Sequence, residues 1–261
     1  MNEELKIRVE ENLKVFPNNR RNIVLIAYPE ERGGELKSLF IDTAESIAKK
    51  LEKPPLGAGK IRAGGWDLET GSKAKIVEGK FRRVSGDTKV IDLYKDGMLI
   101  LSASADEEFL AYGTESGLRI NSIALIELIY NFLSFYREVL KDFTVKPSNV
   151  SVTFGFRGMH SDGKKTYLAK GPEIKDNRRL VSRGLEPRYE APEDDYLEKR
   201  PITINLKTGN FENNKIGEIA YKVVEKIYLW FDVPSNHIPY VKTENSVKII
   251  DIEQIRENSI N

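Results

Sequence analysis

Apolar side chains recur along this chain at several spacings, and each spacing predicts a kind of element. Residues 3–16 place Leu5, Val9, Leu13 and Phe16 about one helical turn apart, and Pro17-Asn18-Asn19 ends the run. Residues 22–28, NIVLIAY, are an unbroken aliphatic stretch bounded by Pro29, the pattern of a buried strand. Helical spacing returns over 35–51, where Leu36, Leu39, Phe40, Ala44, Ile47, Ala48 and Leu51 share one stripe and Pro54-Pro55 stops it.

From Gly64 the period shortens to two. Residues 74–84 are expected to form one strand, Ser85-Gly86-Asp87 a turn, and 89–94 (KVIDLY) a second strand. Asp96-Gly97 is a tight-turn signal before a third strand over 98–105, which completes an antiparallel meander. Asn121-Ser122 offers N-cap chemistry to a helix over 123–142 that is apolar almost all round, so it must be largely enclosed as a central element packed across the sheet. Alternation predicts further strands over 149–156, 202–206 and 246–251, with an amphipathic helix over 216–231. No repeat of roughly 20 to 50 residues is visible. The expected fold is a single α+β domain over 1–261: an antiparallel sheet packed against the central buried helix and the C-terminal amphipathic helix. An irregular charged excursion interrupts it at about 157–200.

Composition narrows the chemistry. A chain of 261 residues with 40% hydrophobic side chains can build a sizeable core. Cysteine is absent, which removes disulfides, thiolate metal sites and cysteine nucleophiles. Only His160 and His237 are imidazoles, so any metal is expected on oxygen ligands, favouring magnesium, manganese or calcium. The formal charge of +1 confines attraction of nucleic acid to a local patch. Charged residues at 31% and a sole glutamine, Gln254, lean toward a heat-adapted source. The charged, helix-periodic start implies no export signal, and the longest apolar segment, 123–136, is interrupted by Glu127 and Asn131 and falls short of the roughly 20 residues of a membrane span. The expectation is a cytoplasmic protein with no membrane partner.

Two constellations carry candidate chemistry. Residues 157–188 hold nine Lys or Arg against four acids, interleaved with aromatic rings. Arginines for phosphates and rings for stacked bases are the means by which single-stranded nucleic acid is held, and the candidates are Arg157, Lys164, Lys165, Tyr167, Lys170, Arg178, Arg179, Arg183 and Arg188. A partner protein is the other ligand such a surface takes. The following segment, 189–198, holds five acids and no base, and it can fold back on the patch and neutralise it. The second constellation is Asp67 with Glu78 and Lys80, in the order Asp-x(10)-Glu-x-Lys. In a metal-dependent nuclease the two carboxylates hold magnesium or manganese and the lysine stabilises developing charge. Glu78 and Lys80, two apart on a predicted strand, would share one face. The competing reading makes them the wet face of a hairpin. His160, between a strand and a glycine-rich turn, suits a general base, a phosphate contact or an exposed turn residue, and His237 suits capping or packing. The leading expectation is a non-catalytic binding or sensing module, with the nuclease as the alternative.

Residues 22–29 (NIVLIAYP), 35–39 (ELKSL), 65–69 (GWDLE), 93–97 (LYKDG) and the helix INSIALIELIYNFLSFYREVL together resemble the uncharacterised region that follows a DNA- or ATP-binding domain of Schlafen AlbA type in prokaryotic regulator-like proteins. The AlbA-type module itself is not evident in the chain. The resemblance implies an accessory or sensing domain in a regulatory or defence setting, and it designates no site residues.

Overall fold

The structure is a computed structural model, and it describes residues 3–17, 20–31, 34–36, 43–44, 47, 73–86, 88–106, 110–114, 117–163, 165–169, 190–212, 215–251 and 253–254. It has an α+β fold organised on a seven-stranded antiparallel sheet. Five of the strands come from the first half of the chain: β1 (Asn22–Pro29), β2 (Lys73–Val77), β3 (Lys80–Ser85), β4 (Lys89–Tyr94) and β5 (Leu99–Ser104). Two small strands, β6 (Ala111–Thr114) and β7 (Gly117–Ile120), precede α2 (Ser122–Leu140), and α1 (Glu3–Leu13) precedes them all. After α2 come β8 (Asn149–Arg157), β9 (Thr166–Leu168), α3 (Tyr196–Lys199), β10 (Ile202–Lys207), α4 (Gly209–Glu212), α5 (Ile216–Trp230), β11 (Val241–Glu244) and β12 (Val247–Ile250). The large sheet runs β10-β8-β1-β5-β4-β3-β2, and β6, β7 and β9 form a separate three-stranded sheet in which β7 and β9 are parallel.

The unbroken apolar run of β1 reflects its central place between β5 and β8 with both faces covered. Ile23, Leu25 and Ala27 join the larger core, beneath α2 and α5, while Val24 and Ile26 join a second core beneath α1. In the larger core Phe132 of α2 meets Phe154 of β8 edge to face at 6.1 Å. Asn121 caps α2 as its sequence predicts, its side chain accepting from the backbone N–H of Ile123 at 3.0 Å and of Ala124 at 3.2 Å.

Several expectations change. The run 74–84 is two strands, because Glu78 (φ 51) and Gly79 (φ 79) both take left-handed backbone and close a two-residue hairpin in which Val77 pairs with Lys80. The strands β6, β7, β9 and β11 were not expected. Of the helix expected over 35–51, Glu35 and Leu36 are instead non-helical, Leu36 bridging Phe143 and the Glu35 carbonyl accepting from the N–H of Thr144, while Ala44 and Ile47 are helical, with the N–H of Ile47 donating to the carbonyl of Thr43; positions 37–42, 45–46 and 48–51 lie outside the described residues. No helix among the described residues is long and apolar enough to cross a membrane.

Phe154→Ala removes a fully buried ring from the larger core and is expected to cost about 3–5 kcal/mol by urea unfolding, whereas Val145→Ala, on an exposed side chain, should stay within about 0.5 kcal/mol.

Candidate functional site

The amphipathic period of α1 builds a groove. Leu5, Val9 and Leu13 turn down into the second core against Val24, Ile26, Val90 and Ile100. The opposite consequence is that Glu3, Lys6, Ile7, Glu10 and Lys14 line a cavity of about 500 Å³ between α1 and a second wall made by Arg157, Asp195, Leu197 and Glu198. That wall is held close to the sheet. A Cβ on Gly155 of β8 would lie 2.6 Å from Leu197, so only glycine lets α3 rest on the strand at this point.

Charge fixes the rest of the wall. Arg157 donates to the Glu10 carboxylate at 2.6 Å and its Nε lies 3.5 Å from Asp195. Asp195 also caps α3, accepting from the backbone N–H of Glu198 at 2.8 Å. Burial pushes the Asp195 carboxyl above its ordinary range, opposed by that N–H and by Arg157. His160 ties the same segment down: its backbone N–H donates to Asp194 at 2.8 Å and its Nε2 lies 2.6 Å from the Ala191 carbonyl. It is half-buried and engaged, unlike an exposed turn residue.

The seat of α1 is a polar cluster that sequence reasoning missed. The Asp92 carboxylate on β4 is fully buried and takes two hydrogen bonds from Arg82 on β3, at 2.6 and 2.5 Å. Asn12 of α1 adds a third at 3.0 Å. Lys80 pairs with Glu11 of α1 at 2.7 Å and lies 3.8 Å from Asp92, and Arg82 also donates to the Glu11 carbonyl at 3.3 Å. Arg8 joins α1 to the β4–β5 turn through Asp96 at 2.7 Å and lies over the Tyr94 ring at 4.3 Å. The Lys80 hydrogen bond, more than any other influence, holds the Glu11 carboxyl below its usual value.

The residues singled out by sequence fall in different places. Asp67 lies outside the described residues. Glu78 is exposed at the hairpin tip and not on the strand with Lys80, and Lys80 is buried in the cluster beneath α1. Of the basic block, Arg157 stands in the groove wall and Lys165 pairs with Glu190 at 2.6 Å. Tyr167, on β9, is only 3% exposed, so its ring is not offered for stacking. Lys164, Lys170, Arg178, Arg179, Arg183 and Arg188 lie outside the described residues. The acids after the block fold back on neighbouring cations: Glu190 on Lys165, Asp195 on Arg157, and Glu193 on Lys199 at 3.0 Å. Among the described residues no three acidic or imidazole side chains gather as a metal group. Comparison with protein-family models, with curated proteins and with solved structures finds no match for this chain.

Two outcomes follow from the cluster. Arg82→Met leaves the Asp92 carboxylate buried without its main partner and should cost about 3–5 kcal/mol in urea unfolding. Glu11 titrates at a depressed value in the folded state, so its contribution is present above the ordinary 4.5 and fades as pH falls through the folded value. Urea midpoints followed from about pH 7 to about pH 3 should drop more steeply for the natural protein than for Lys80→Met.

Proposed function

We propose that this chain is a non-catalytic binding module that recognises a partner polypeptide through the groove between α1 and the segment 195–198. The observation that carries the reading is the lining of the groove: four acids, Glu3, Glu10, Asp195 and Glu198, are interspersed with Lys6, Lys14 and Arg157. An uncovered Ile7, 61% exposed, stands among them beside the buried Leu197. Charges of both signs around an apolar anchor suit a polypeptide, whose side chains carry both signs too. A nucleic-acid backbone, by contrast, presents one sign only and would meet four carboxylates here. The resemblance to the region that accompanies AlbA-type domains supports an accessory or sensing role in a regulatory or defence setting.

A photo-crosslinking amino acid placed at Ile7 in the full chain, expressed in its host cells, tests this. The expected result is a discrete crosslinked species at position 7 that is lost when Glu10→Lys and Lys14→Glu are introduced, with no such species from position 145. Single-stranded nucleic acid at about 50 mM salt should not bind measurably. Equal crosslinking at both positions, or tight salt-sensitive nucleic-acid binding, would overturn the reading.

A further inference from the structure

We infer that the polypeptide occupying this groove is α1 of a second copy of the same chain, packed antiparallel about a twofold axis; this rests on the groove being a polypeptide site. Lys14, one residue past α1, continues its hydrogen bonding by donating its N–H to the Glu10 carbonyl at 3.1 Å, and at the helical repeat Glu3, Lys6, Ile7, Glu10 and Lys14 fall within about 100° of arc on one face. Along that face the order is acid, base, apolar, acid, base. Turned end for end, the same stripe reads base, acid, apolar, base, acid, so each charge meets its opposite. Glu3 faces the partner's Lys14 and Lys6 faces the partner's Glu10.

The two kinds of pair agree on where the axis lies. The midpoint of positions 3 and 14 is 8.5 and that of 6 and 10 is 8, a disagreement of half a residue, or about 0.8 Å along the helix. Side chains absorb that. The same axis brings the two Ile7 side chains within about 4 Å of each other along the helix direction, close enough for apolar contact at the centre of the interface. In-plane rotation keeps each flank of the stripe with its counterpart, and Lys6 and Glu10 share one flank while Ile7 and Lys14 lie toward the other. A twofold interface must be self-complementary in this way, and each copy then completes the other's groove.

The groove's second wall does not cancel the pattern. Arg157 sits on Glu10, but Asp195 sits on Arg157, so the three carry +1 −1 −1, a net −1, and the negative charge facing the partner's Lys6 survives. The pairs are exposed and the patch is small, which places the dimer at the weak, salt-sensitive end of specific interfaces.

Sedimentation velocity on the full chain from about 1 to about 100 µM tests the inference, with circular dichroism confirming that the variants are folded. The natural protein should show a monomer–dimer equilibrium weakened by salt. Lys6→Glu alone, and Glu10→Lys alone, each set like charges against each other twice and should weaken dimerisation at least tenfold. Mixing the two variants in equal amounts restores both oppositely charged pairings, so heterodimers should form at natural affinity. Ile7→Glu should leave a monomer. A natural protein that is monomeric throughout, or a dimer indifferent to the single reversals and the mixture, overturns the inference. Monomeric protein that still crosslinks a different chain at position 7 overturns the second copy as occupant while the groove reading stands.

Discussion

A carboxylate removed from water must have its charge answered within hydrogen-bond distance, and Asp92 is answered from two sides. Arg82 chelates it from the adjacent strand, and Asn12 reaches it from α1. A buried ion pair of this kind adds little net stability over an apolar substitute, since desolvation offsets most of the attraction. Its value is directional. Leu5, Val9 and Leu13 would stay buried if α1 slid or rolled somewhat on the sheet, because apolar contact has no preferred angle. Hydrogen bonds from Asn12 to Asp92, from Lys80 to Glu11 and from Arg82 to the Glu11 carbonyl do not tolerate such a shift.

The position of α1 in turn decides what its outer stripe faces. One edge of the helix looks across β8 toward α3, which has further anchors of its own: Leu197, which shares the second core with Leu5, Val9 and Leu13, also rests on Gly155, and Tyr196 stacks on Trp230 at 4.6 Å with its hydroxyl donating to the Trp230 carbonyl at 3.2 Å. The groove is therefore the gap between two walls that share the second core at its floor through Leu197 and are bridged above it by the Glu10–Arg157–Asp195 chain of charges. Between β8 and the edge strand β10 runs a polar ladder, with Ser151 bonded to Asn205 at 3.1 Å and Thr153 to Thr203 at 3.2 Å.

What was legible in the sequence is what local pattern records. The unalternating run of β1, the nearly all-apolar α2, the stripe of α5 and the Asp96-Gly97 turn each carry their signal within one element, and each is where periodicity places it. The Glu78-Gly79 turn was hidden because glutamate rarely takes positive φ, so a hairpin read as one strand. The strands β6 and β7 are four residues each, too short to show a period. The Asp92 cluster joins residues 80 apart, and nothing near Asn12 announces Asp92. For the groove, Arg157 was singled out for its charge, but Glu3, Lys6, Ile7, Glu10 and Lys14 carry no local pattern that sets them apart from the outer face of any amphipathic helix. Their meaning comes from what the fold sets across from them. Tyr167 errs the other way: a ring beside lysines suggests a stacking surface, but β9 carries it into the interior.

The Asp92 cluster seats α1 on the sheet. Native-state hydrogen exchange on Asp92→Asn probes that seating, since the substitution keeps the shape and removes the charge. Amides of α1 are expected to exchange at least about tenfold faster, while any loss of protection in α2 and β8 stays within the fall in global stability read from urea unfolding of the same variant. Protection along α1 that is unchanged by the substitution would show that the cluster does not seat the helix.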